Sequence, residues 1–133
     1  MTPAARVLIV DDNDDTLELV SQLVASAGYE PLIARNGIEA VRLIKGNPPD
    51  LIVLDMEMPE MNGFQVINWM DQNDQLNIPI VVYTAYERFD HPDIQLKGVV
   101  RVVNKGNIDI VEFIHILQTI ISGGAFWQPL FRA

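Results

Sequence analysis

The chain has no cysteine among its 133 residues. That excludes disulfides and thiolate metal sites, and it suits a reducing compartment. Histidine is nearly as scarce. His91 sits in an Asp-His-Pro loop, and His115 falls on a polar stripe with Asp109, Glu112 and Thr119; both read as solvent-facing rather than metal-binding or catalytic. Basic residues are few: 9 Lys and Arg stand against 18 Asp and Glu, a net charge of −9. Duplex binding rests on neutralising phosphates with Lys and Arg, so direct nucleic-acid contact is not expected. Charge of this sign chiefly favours solubility. No apolar stretch approaches the roughly 18 residues that a membrane span needs. The apolar run near the start is too short, and too soon followed by acid, for a secretory signal. The expectation is a cytoplasmic protein with one domain, and 49% apolar residues supply its core.

What is present alternates. Arg6 to Val10 is a short β-branched run that ends in acid and reads as a buried strand. From Asn13 to Ala27, Leu17, Val20, Val24 and Ala27 recur at helical spacing, with Asp14 and Asp15 suited to the first turn and Gly28 to the stop. Tyr29 to Ala34 reads as a second strand. Asn36-Gly37 opens a helix through Ile38, Val41 and Ile44, stopped by Gly46 and Pro48-Pro49. Asp50 to Leu54 is a third strand, followed after Gly63 by a helix marked by Phe64, Ile67 and Met70. Ile78 to Tyr83 and Val99 to Val103 are the fourth and fifth strands, and Asn107 is positioned to cap a last helix that runs to about Ser122. Strands apolar on both faces belong in a parallel sheet covered on both sides, so the pattern predicts a doubly wound α/β domain.

In such sheets ligands bind at the carboxyl ends of the strands. The residues there are Asp11-Asp12 after strand one, Asp55 after strand three, Thr84-Ala85 after strand four and Lys105 after strand five. Three carboxylates together repel unless a cation intervenes. Magnesium takes oxygen ligands and commonly needs one or two carboxylates plus a phosphate. Lys105 adds a point charge for a phosphate oxygen and Thr84 a hydroxyl. Asp55, central in the set, is suited to attack phosphorus and form an acyl phosphate. Each residue alone has an ordinary reading as a capping turn, a loop hydroxyl or a solvated charge; their joint placement on successive strand ends carries the functional one.

The stretches VLIVDDN at 7–13, LIVLDMEMPEMNG at 51–63, VVYTA at 81–85, and Lys105 beyond the fifth strand resemble, in order and spacing, the receiver domain of two-component response regulators. The resemblance covers about residues 5 to 122. It implies a flavodoxin-like, CheY-like fold: a five-stranded parallel sheet in the order 2-1-3-4-5 with five helices. It implies that Asp55 accepts a phosphoryl group from a histidine kinase or phosphotransfer protein. Asp12 and Asp55 would ligate Mg²⁺ directly, the backbone carbonyl of Glu57 would be a third ligand, and Asp11 would act through a metal-bound water. Thr84 would swing toward the phosphate and Lys105 would pair with it. Pro59 and Gly63 would shape the loop after the acceptor.

Three departures from the family pattern stand out. Val102 occupies the place of an aromatic three residues before the lysine, so Thr84 and a loop shift are expected to carry the signal. Gly106 replaces the usual cis proline, so a trans peptide and a less firmly held Lys105 are expected, a non-proline cis bond costing roughly 2.5–4 kcal/mol. Pro92, within YERFDHPDIQLKG at 86–98, predicts a fourth helix cut to about 92–96 or irregular. The last helix carries two apolar sets: Ile110, Ile114, Leu117 and Ile121, and Phe113, Ile116 and Ile120.

The expected organisation is a receiver over residues 1–122 with an apolar tail over 123–133. Phe126, Trp127, Leu130 and Phe131 give that tail, or the last helix, a surface to fold back, meet a partner or form a homodimer. The function expected is a phosphorylation-dependent switch acting through protein contacts, a phosphoprotein that catalyses only its own phosphorylation and dephosphorylation rather than an enzyme. The rival reading is a phosphorylation-independent interaction module on the same fold. An aspartyl-phosphate hydrolase fits poorly, because its nucleophile commonly follows the first strand.

Overall fold

In the computed structural model, residues 4–85, 97–107 and 109–123 are described. The elements run β1 (Arg6–Val10), α1 (Asp14–Ser26), β2 (Glu30–Ala34), α2 (Gly37–Gly46), β3 (Leu51–Leu54), α3 (Gly63–Gln72), β4 (Ile80–Thr84), β5 (Val99–Asn104), a 3₁₀ turn (Lys105–Asn107) and α4 (Ile110–Ser122). The five strands form one parallel sheet in the order β2-β1-β3-β4-β5. This is the doubly wound, flavodoxin-like fold read from the sequence. Four α-helices lie among the described residues. The short fourth helix expected near Pro92, and the apolar tail, fall outside them.

Successive residues of a strand face opposite sides of the sheet, and here the alternation builds two cores. Leu8, Val10, Ile52, Leu54, Ile80 and Val82 point toward Ala40 and Ile44 of α2 and Val66, Ile67 and Met70 of α3. Val7, Ile9, Leu51, Val53, Val81 and Tyr83 point toward Leu17, Val20 and Val24 of α1 and Phe113, Ile116, Leu117 and Ile120 of α4. Burial of an aliphatic or aromatic side chain is worth roughly 1.5–3 kcal/mol each, so the two helical layers hold the sheet between them.

The helix starts are set by side-chain caps, and one differs from the sequence reading. Asn13 caps α1 by accepting the Thr16 N–H, with Asp14 and Asp15 in the first turn as expected. Asp109, rather than Asn107, caps α4 by accepting from Val111 and Glu112, because Asn107 belongs to the 3₁₀ turn that intervenes. Asn36 caps α2 and Asn62 caps α3, the latter in a reciprocal pair with Gln65. Gly28 ends α1 at a φ of +92°, a conformation that favours glycine. On α4 the set Phe113, Ile116 and Ile120 is buried with Leu117, Ile114 and Ile121 are half-buried, and Ile110 is exposed. His115 is exposed, as its polar stripe implied. Among the described residues no helix is long and apolar enough to cross a membrane.

Candidate functional site

The site grows out of strand parity. Asp11 and Asp55 each continue their strand by one hydrogen bond: Asp11 N–H donates to Ala34 O at 3.1 Å and Asp55 N–H to Val10 O at 2.9 Å. Each therefore shares the face of the preceding odd-numbered residues, Val7 and Ile9 or Leu51 and Val53. β1 and β3 are adjacent, so the two carboxylates arrive side by side at the carboxyl edge. They are buried, at 2% and 5% exposure. Asp12, next in the chain, stays exposed but turns its carboxylate to the same point. One oxygen from each of Asp11, Asp12 and Asp55 lies within 4.8 Å of the others.

Lys105 reaches this group from the fourth strand-end in the row. β5 pairs with β4 so that Val103 stands opposite Tyr83 and Asn104 opposite Thr84. Two residues past Val103, Lys105 lies on the same side. Its Nζ donates to Asp11 Oδ2 at 2.6 Å and lies 3.6 Å from Asp55 Oδ2. The remaining oxygens take backbone donors: Asn13 N–H reaches Asp11 Oδ1 at 2.9 Å and Glu57 N–H reaches Asp55 Oδ1 at 3.3 Å.

Burial pushes the Asp11 carboxyl above its ordinary range, and the nearby Asp55 charge adds to the rise; the hydrogen bonds from Lys105 and Asn13 oppose both without cancelling them. For Lys105 burial works toward neutrality, but the Asp11 hydrogen bond and the charges of Asp55 and Asp11 outweigh it and raise the ammonium pKa. Lys105 is thus charged at neutral pH. Three carboxylates and one ammonium leave a site two charges negative, made of hard oxygen donors. A divalent oxygen-seeking cation such as Mg²⁺ fits that set in both charge and donor type.

The loop from Met56 to Asn62 closes the site on one side. It returns so tightly that a Cβ on Gly63 would stand 2.6 Å from Asp55 O and 2.7 Å from Met56 Sδ. Glycine is required there by space. Glu60, at a φ of +67°, takes the left-handed conformation in the same turn. The result is a cavity of about 700 Å³ lined by Asp11, Asp12, Asp55, Met58, Pro59 and Lys105, among others including Glu57. Thr84 ends β4 buried, at 1% exposure, and is not part of the lining. The structure therefore brings together Asp11, Asp12, Asp55 and Lys105, includes Glu57 in the lining, and leaves Thr84 buried at the end of β4 outside that lining.

Residues 7–117 match the response regulator receiver domain family. The chain belongs to this family. Among its relatives is the polar-differentiation response regulator DivK of Brucella anthropi, 33% identical over 117 residues that span 86% of this chain and 94% of DivK. Solved receivers superpose closely. The signal receiver domain of a signal transduction histidine kinase from Syntrophus aciditrophicus has a TM-score of 0.80 at 28% identity, covering 98% of this chain and 99% of that one. The response regulator TrrA of Thermotoga maritima has a TM-score of 0.74 at 28% identity, covering 87% and 98%.

Two parts of this receiver's site went unread in the sequence. Asn104 accepts the Gly106 N–H at 2.6 Å, a side-chain turn that shapes the backbone next to Lys105 in the place of the missing proline. The Lys105–Gly106 peptide is trans, as expected for glycine. Tyr83, one residue before Thr84, puts its ring beneath Lys105, with Nζ 5.6 Å from the ring centroid. The Asn-Lys-Gly sequence signals the turn; only strand parity signals the ring.

Proposed function

We propose that this receiver is a phosphorylation-dependent switch in which Asp55 takes a phosphoryl group from a phosphohistidine of a histidine kinase or phosphotransfer protein. The observation that supports it is the convergence of Asp11, Asp12 and Asp55 with one charged lysine on an open cavity. An Asp55 oxygen attacks phosphorus, the P–N bond breaks, and the imidazole nitrogen keeps the electron pair and takes a proton. Asp55 is left as an acyl phosphate.

Asp12 and Asp55, with the Glu57 carbonyl and with Asp11 through water, would hold Mg²⁺. The ion would supply charge neutralisation for the phosphoryl oxygens. TrrA of T. maritima was solved in complex with Mg²⁺-BeF, and three carboxylates converge in this chain. Lys105 holds positive charge at the mouth of the site and, released from Asp11, pairs with a phosphoryl oxygen. Thr84, buried at the carboxyl end of β4, would move to offer its hydroxyl to the phosphoryl group. The receiver unit would span residues 1–122. Output is through protein contacts in the cytoplasm, the acidic surface being unsuited to nucleic acid.

Intact mass after incubation with acetyl phosphate and Mg²⁺ tests this reading. One added phosphoryl group, absent in Asp55→Asn and in EDTA, is the expected result. No gain in a protein shown to bind Mg²⁺ overturns it and leaves a constitutive interaction module on the same fold.

A further inference from the structure

Lys105 has four rotatable side-chain bonds, and the residue after it is glycine, so its backbone and its own rotamers leave it loosely specified. The structure nevertheless sets its ammonium between two buried carboxylates. Three surfaces do this: Asp11 at 2.6 Å, Asp55 at 3.6 Å, and the ring of Tyr83 at 5.6 Å. The ring of Tyr83, with the ammonium over it, is the one contact of the three that is not a carboxylate.

The ring is placed for that task. On the sheet face that Tyr83 shares, the neighbouring strand residues Val7, Ile9, Val53 and Val81 are all aliphatic. The single aromatic stands at the carboxyl end of its strand, against the site. It is 4% exposed, and Phe113 of α4 backs it at 5.4 Å between ring centroids with the planes at 42°. A tilted aromatic pair of this kind fixes the ring's orientation. An ammonium within about 6 Å of a ring centroid is attracted to its face, and the attraction grows as the pair leaves water. No aromatic arrives from β5, where Val102 is 38% exposed and turned outward.

We infer that Tyr83 is a positioning residue for Lys105: its buried ring, clamped by Phe113, holds the lysine ammonium at the phosphoacceptor site. The inference rests on the phosphotransfer reading for its consequence, but not for its geometry, and the test separates the two. The variants are Tyr83→Phe, which keeps the ring, and Tyr83→Leu, which keeps an apolar filler without it. Tyr83→Met serves if the leucine variant does not unfold cooperatively.

The first readout needs no phosphate. The Lys105 side-chain methylene resonances, assigned by their loss in Lys105→Arg, are expected upfield-shifted by the ring in the wild type and Tyr83→Phe, and at ordinary lysine values in Tyr83→Leu. The second is the rate of Asp55 phosphorylation by acetyl phosphate with Mg²⁺. It is expected to fall roughly three- to ten-fold in Tyr83→Leu and to stay within about two-fold of wild type in Tyr83→Phe. A leucine variant that keeps both the shift and the rate overturns the proposal, as does one whose rate loss the phenylalanine variant shares. If the wild type takes no phosphoryl group, the phosphotransfer reading fails, and the resonance comparison alone decides whether the ring positions Lys105.

Discussion

Lys105→Met replaces a charged side chain by an apolar one of similar length. The ammonium sits 2.6 Å from Asp11 and 3.6 Å from Asp55, with the three side chains 20%, 2% and 6% exposed. A hydrogen bond between charged groups is worth roughly 1.5–3 kcal/mol net. The longer contact adds attraction, while relief of the lysine's own desolvation subtracts some of both, so the variant should lose about 2 kcal/mol in the absence of metal. For a chain of this length that is roughly 6–10 °C in the unfolding midpoint.

The loss should shrink with metal. Without the ammonium the site is three charges negative instead of two, so Mg²⁺ should raise the variant's midpoint more than the wild type's and narrow the gap between them. Thermal unfolding followed by circular dichroism, in EDTA and across a Mg²⁺ titration, measures both effects. The double variant Asp11→Asn/Lys105→Met should lose less than the two single losses combined, because each single change leaves the other's charge unpaired. Equal midpoints in EDTA would refute the coupling drawn here, and parallel Mg²⁺ curves would refute the competition between ammonium and cation.

Gly63→Ala should destabilise the protein by about 1–3 kcal/mol and slow Asp55 phosphorylation, because the new methyl meets the Asp55 carbonyl at 2.6 Å and the loop must move; denaturant melts and intact mass after acetyl phosphate check the two effects. Burial raises the Tyr83 hydroxyl pKa, and the Asp11 charge adds to the rise, with the Lys105 charge opposing it. The folded state therefore favours neutral Tyr83, a contribution fully present below pH 10, the unfolded value, and lost as pH climbs through the folded one. Absorbance titration at 295 nm should show a late tyrosine component that vanishes in Tyr83→Phe, and that variant should lose less stability than wild type on going from pH 9 to 11.

Much of this molecule was legible in its residues because parallel strands and the ends of helices obey local rules. Continuous apolar runs such as LIVL at 51–54 report burial on both faces, and short polar breaks report turns, so order and class of elements follow. The acids and the lysine at strand ends were legible for the same reason: their position in the chain gives their edge of the sheet. Element boundaries were less so. Asn107 carries capping chemistry, yet Asp109 caps α4, since the backbone after Lys105 first makes a 3₁₀ turn held by Asn104.

Distance is what the chain cannot state. That Lys105 lies nearer Asp11 than Asp55, that Thr84 is buried instead of lining the cavity, and that Gly63 all but touches the Asp55 carbonyl are decided by strand register and by the return of one loop. The role of Tyr83 belongs here too. In sequence it is one more apolar residue of a central strand. Beside β5, with α4 packed behind it, the same ring becomes the wall against which a lysine 22 positions later rests. Local chemistry chose the groups; packing between elements far apart in the chain chose which of them meet.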